Sequence, residues 1–261
     1  MISALAPVAR WLLLALAVLL VGPALVYFGT HSARADWRTA SREPVGLAPD
    51  PAEARRAMVQ VYGARAVSWR GAFGVHTWIS VKPTDAPEWT TYQIIGWRAR
   101  YGGDALVVTQ GAPDRRWFGA EPELYAQLEG EGVDAVIARI VAAAEAYPWR
   151  TTYTLWPGPN SNTFTAMVAR AAPELRLDLP STAIGKDFLG PTTFAAATPS
   201  GTGFQLSLWG LVGVTLARQE GLEINLAGLT FGIDPFGLAV KAPGIGRIGA
   251  TENPVREIAV D

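Results

Sequence analysis

The sequence predicts an α+β protein in three parts: an N-terminal transmembrane helix, an antiparallel sheet with packed helices, and a C-terminal β-rich module. Three observations carry this expectation. Trp11 to Thr30 holds no charged residue and is rich in Leu, Val and Ala, long enough as a helix to span the roughly 30 Å hydrocarbon core of a bilayer. From Met58 onward, β-branched and aromatic runs alternate with Gly and Pro turns, the pattern of short strands. After Pro180 helical periodicity gives way to glycine-rich apolar runs, which read as paired strands. The expected divisions are residues 1–30 as anchor or signal segment, 31–57 as juxtamembrane linker, 58–180 as an α+β domain and 181–261 as a β-rich region.

The apolar N-terminus exceeds the usual signal core of about 7 to 15 residues, which favours an uncleaved anchor, although Ala33-Arg34-Ala35 resembles a small-residue cleavage site. Arg34, Arg38 and Arg42 follow the helix while only Arg10 precedes it, so positive charge alone would keep the domain inside. Long domains translocate largely regardless of flanking charge, and the domain is expected on the extracytoplasmic, periplasmic side. The linker mixes charge and proline without period and ends near Pro49-Asp50-Pro51. Strands are expected at Met58–Tyr62, Val75–Lys82, Thr90–Trp97 and Asp104–Gln110. Glu121 to Tyr147 reads as two helices divided near Gly130 and Gly132, with Leu124, Leu128, Val133, Val136, Ile137, Ile140 and Val141 on one face. Pro157-Gly158-Pro159 turns the chain into a further helix that ends before Pro173. Leu208–Leu216 is too short to span a membrane and reads as a buried or β-paired strand.

Composition narrows the chemistry. A net charge of −1 with scattered arginines gives no basic field for nucleic acid. There is no cysteine, so disulfides and thiol chemistry are excluded; two histidines do not furnish a zinc cluster. No cofactor is expected, and the expected partners are the membrane and a cell-envelope substrate.

His31 borders the membrane segment, so His76 is the one imidazole available as a general base in the folded domain, and a hydroxyl must act as nucleophile. Ser161, within Asn160-Ser161-Asn162-Thr163-Phe164, falls at a helix start, where unpaired N–H groups and the positive end of the dipole would face an oxyanion. Asn160 or Asn162 adds a side-chain donor. The plain structural alternative is that these residues cap a helix, which Asn, Ser and Thr commonly do. His76 has the same alternative as a packed strand residue. Trp69, Trp78, Trp89 and Trp97 line a groove or fill a core, Lys186-Asp187 reads as a surface ion pair, and Asp114-Arg115-Arg116 as a solvated loop.

Gly74-Val75-His76-Thr77-Trp78-Ile79-Ser80-Val81, followed by Tyr92-Gln93-Ile94-Ile95-Gly96-Trp97, resembles the His-bearing hairpin of the circularly permuted papain-like group, which includes desumoylating isopeptidases, lecithin:retinol acyltransferase and NlpC-type peptidases. Asn160-Ser161-Asn162-Thr163-Phe164 is similar to their Asn-Cys-Asn-x-Phe motif, and the whole chain resembles a bacterial membrane-anchored family of unknown function. The resemblance implies a papain-like fold over about residues 58–175 and a hydrolase or acyltransferase site. In that site Ser161 is nucleophile, His76 base, Gln93 the residue that orients the imidazole, and Asn160, Asn162 and Trp78 oxyanion or substrate contacts. Serine in place of cysteine demands a stronger base, and Gln93 cannot stabilise imidazolium as a carboxylate would. The alternative implied is a catalytically inactive relative that keeps the cleft for binding or scaffolding.

Overall fold

The computed structural model describes residues 2–29, 36–250 and 254–258. His31 and the Ala33–Ala35 cleavage pattern lie outside them. Ile2–Gly29 forms helix α1, but most side chains from Trp11 to Leu16 are also outside the description. Among the described residues no helix is long and apolar enough to cross a membrane.

The remainder is a mixed α+β structure built on two sheets with few helices. The six-stranded sheet has the order β13-β5-β1-β2-β3-β4, from β1 (Met58–Arg65), β2 (Val75–Lys82), β3 (Thr90–Ile94), β4 (Leu106–Gln110), β5 (Glu123–Gly130) and β13 (Val255–Ile258). Its first four strands are one antiparallel meander. β3 is shorter than its apolar run suggests, because Gly96–Arg100 coils into the short helix α2. Odd-numbered residues of β1 and β2, among them Val59, Val61, Ile79 and Val81, face the core. There they meet α3 (Val133–Glu145) and α4 (Ser161–Arg170) through Val136, Ile140, Phe164 and Val168.

Glu123–Gly130 corrects one sequence reading. It is a strand and not a helix, pairing antiparallel with β1 and parallel with β13. Leu124 and Leu128 are four apart, as a helix requires, but a register shift at Val61/Tyr62 puts them on opposite faces of the strand: Ala126 and Leu128 pair with Val61 and Val59 in the main core, and Leu124 pairs with Tyr62 beside the aromatic cluster. The parallel pairing also returns the chain's last described segment to the first sheet, beyond the division expected at residue 180.

Residues 195–249 form a seven-stranded antiparallel meander: β6 (Ala195–Ala197), β7 (Gly203–Leu208), β8 (Val212–Ala217), β9 (Gly221–Leu226), β10 (Leu229–Asp234), β11 (Ala239–Ala242) and β12 (Gly246–Gly249). Leu208–Leu216 is thus two paired strands around a turn. Of the two alternatives, buried or β-paired, the segment is paired, and its apolar side chains are exposed. The sheet turns its polar face inward: Gln205, Ser207, Thr215, Glu223, Asn225, Thr230 and Lys241 are all buried. They meet Asp178, Lys186 and Asp187 from the preceding segment. Glu223 pairs with both Lys186 and Lys241, Lys241 also holds Asp178 at 2.7 Å, and Asn225 donates to Asp187 at 2.8 Å.

Two further readings change here. Lys186 and Asp187 are each only 4% exposed and belong to this network, so they are not a surface ion pair. Asp114 is buried and accepts the N–H groups of Leu47 and Ala48, pinning the linker to the domain, so it is not a freely solvated loop residue. Trp78 and Trp89 are core, whereas Trp69 and Trp97 are exposed.

Candidate functional site

The candidate residues meet where β3 leaves β2. The two strands pair only from Ile79 to Val81, leaving the first half of β2 with an open edge. The 160–184 region fills that edge: Val75 donates its N–H to Thr182 O at 3.0 Å and accepts Asn162 Nδ2 at 3.0 Å. His76 bridges the gap on the other side, its Nε2 3.0 Å from Gln93 Oε1. An amide oxygen accepts, so Nε2 carries the proton and Nδ1 is the basic atom of the neutral ring.

Trp117, which the sequence reading did not single out, stacks on His76 at 3.7 Å between ring centroids and 10° between planes. Trp78, Tyr62 and Trp117 complete an aromatic pocket around it. No local motif marks Trp117; it reaches the imidazole through a loop folded back on itself by the Trp117–Ala120 bridge. The ring is buried there, and burial drives the His76 pKa down to about 4 despite the Gln93 hydrogen bond.

The helix start is built as a cap. Asn160 Oδ1 accepts the N–H groups of Asn162 at 2.9 Å and Thr163 at 3.1 Å, while Thr163 Oγ1 accepts the Asn160 N–H, which completes a capping box. The amide nitrogens are equally committed. Asn160 Nδ2 donates to Leu155 O and Ile184 O, and Asn162 Nδ2 to Val75 O and Ile184 O. Thr163 Oγ1 donates to Gly185 O at 2.7 Å. Gly185 has φ +98°, and a Cβ there would collide with the Asn160 amide, so this crossing needs glycine.

Neither asparagine therefore has an amide hydrogen directed at an oxyanion, contrary to the role expected of Asn160 and Asn162. In the first turn of α4, the Ser161 N–H and hydroxyl remain without a hydrogen bond among the described residues, and Ser161 is 3% exposed. The expected Ser161–His76 hydrogen bond is absent. Strand alternation explains this: His76 and Trp78 share the face of their cross-strand partners Ala64 and Tyr62. Thr77 takes the opposite face, and its hydroxyl meets Asn162 Oδ1 at 3.0 Å and Thr165 Oγ1 at 2.9 Å on α4. Trp78 is spent in the same way, its indole N–H on Pro113 O at 2.8 Å. A cavity of about 480 Å³ lies elsewhere, between β1, β5 and the second sheet, and is lined by neither His76 nor Ser161.

No curated protein and no solved structure matches the chain. A family model described as "Protein of unknown function (DUF3750)" matches residues 56–188, half of the chain, and takes in β1–β5, α3, α4 and every candidate residue above. The chain belongs to the DUF3750 family.

Proposed function

We propose that this chain is a papain-like binding or scaffolding module of the cell envelope, membrane-anchored through its apolar N-terminal segment, with the folded part on the extracytoplasmic side. In this reading the Ser161–His76 site is catalytically silent. The papain-like assignment rests on the order of parts: a His-bearing strand, a partner Gln93 on the next strand, and a later helix opened by Asn-Ser-Asn. The observation that carries silence is the placement of the imidazole on the aromatic face of β2 while Thr77 holds α4 on the other. A base with a pKa of about 4 and no carboxylate behind it is too weak to take a serine proton.

The competing reading, a serine-dependent amide or ester hydrolase or acyltransferase, has one specific support: the Ser161 N–H and hydroxyl have no other hydrogen bond among the described residues. Titration of His76 separates the two. We expect its imidazole carbon-bound proton, followed by NMR with a His31→Gln variant for assignment, to titrate near 4. A midpoint near the ordinary value of about 6.5 would contradict the silent reading. Because the native ring stays neutral while the unfolded chain takes a proton near pH 6.5, the stability contribution is complete above that pH. It is lost as pH falls toward 4, by about 3 kcal/mol. Denaturant melts at pH 7 and 4.5 should show most of that loss, and His76→Asn should abolish this component of it.

A further inference from the structure

The second sheet is inverted. Every outward-facing position on β6 to β12, from Ala195 to Ile248, carries an apolar residue or glycine, and none carries a polar or charged side chain. One row of cross-strand partners, Phe204–Leu216–Leu222–Ile233–Val240–Ile248, crosses six strands with each member between 38 and 53% exposed. Soluble monomers rarely expose contiguous apolar patches beyond a few hundred Å². Strands of three to six residues, at about 3.3 Å per residue and about 4.8 Å apart, present roughly 550 Å² of flat footprint.

We infer that this face lies on a lipid bilayer, an inference that rests on the membrane-anchor reading above. A protein partner ordinarily matches a polar rim and about one hydrogen bond per 100–200 Å². This face offers no side-chain donor or acceptor, and the N–H and C=O groups of its inner strands are spent within the sheet. That is what hydrocarbon requires. The sheet also meets α1 at one end, in a turn whose carbonyls Gly244 O and Ile245 O accept Arg65 from the first sheet. Gly22 and Pro23 sit directly on Pro243, Gly244 and Ile245 in the β11–β12 turn, where a Cβ at Gly22 would fall on the Pro243 carbonyl oxygen. Val18, Val21, Leu25 and Phe28 of the same helix are exposed. At the same end of the sheet, half-exposed Trp156 and Trp209 donate their indole N–H groups to Ala227 O and Pro191 O. Such tryptophans suit the headgroup level, with one end apolar and the other hydrogen-bonded. An anchored helix docked to the sheet edge keeps the face within reach of the membrane at high effective concentration.

The chain has no cysteine, so single cysteines placed in the full-length protein can carry a bimane label. Ile224→Cys and Val214→Cys report on the face, Leu20→Cys on α1, and Ala138→Cys on α3 over the other sheet. Each variant is reconstituted in phosphatidylethanolamine–phosphatidylglycerol vesicles with and without brominated acyl chains. The expected result is a bromine-dependent loss of fluorescence at 224 and 214 comparable with that at 20, and none at 138. Loss at 20 with none at 214 and 224 overturns the docking and leaves the anchor standing. Loss at 214 and 224 with none at 20 supports the docking and overturns the anchor. No loss at any site overturns both. If 214 and 224 stay bright and nitroxides at 224 lie close in pairs, a second copy covers the face and the bilayer does not.

Discussion

Replacing Glu223 by glutamine is expected to destabilise the protein by about 3–5 kcal/mol, the cost of removing one partner from a buried ion pair. Glu223 stands between Lys186 and Lys241, with all three side chains almost fully buried. Burial alone would raise its pKa, yet the two ammonium groups hold it below the ordinary carboxylate range. Glutamine leaves two positive charges facing Asp178 and Asp187, of which burial already pushes Asp178 up to about 6. Against a typical domain stability of roughly 5–15 kcal/mol the loss is a large fraction. Urea melts at pH 7 measure it. The same account predicts that joint replacement of Lys186, Glu223 and Lys241 by Met, Leu and Met does not recover the loss, because Asp178 and Asp187 then stay in the interior without the lysine cations that face them.

Asn160→Ala is expected to cost about 2–3 kcal/mol, more than an ordinary cap, whose loss costs about 1 kcal/mol. The excess comes from the other end of the amide, since Leu155 O is left without its buried donor and Ile184 O keeps only Asn162. Asn160→Ser, which keeps a capping oxygen but no amide hydrogens, should fall between. Ser161→Ala should change stability by less than about 0.5 kcal/mol, because its hydroxyl makes no hydrogen bond among the described residues. Thermal or denaturant melts of the three variants give the ranking, and a Ser161→Ala loss as large as that of Asn160→Ala would contradict the description of this turn.

The strands from Met58 to Gln110 were legible because alternation and Gly or Pro punctuation are local signals, and the α4 start was legible because Pro-Gly-Pro-Asn-Ser-Asn-Thr both breaks and caps. Residues 123–130 were misread because a four-residue apolar spacing fits helix and strand alike, and the pairing that decides is with β1 and the distant β13. In the second sheet, Leu222-Glu223-Ile224-Asn225-Leu226 announces a strand but not which face goes inward; that is set by Lys186, Asp178 and Lys241, which are far away in sequence. Gln93 lies beside His76, with its side-chain oxygen 3.0 Å from Nε2, because β3 follows β2 as its antiparallel neighbour. Trp117 was invisible, since nothing in its own segment points to an imidazole. The separation of His76 from α4 is a matter of odd and even positions: the motif names the residues, and the single-residue step between His76 and Thr77 decides which face each serves.

The most direct test of a silent site is the intact mass of the purified, detergent-solubilised full chain after exposure to a serine-directed fluorophosphonate. We expect the folded wild type to gain no phosphonyl adduct, with Ser161→Ala and His76→Ala indistinguishable from it. A stoichiometric adduct on the wild type that disappears in both variants would contradict this account and establish Ser161 as an activated nucleophile.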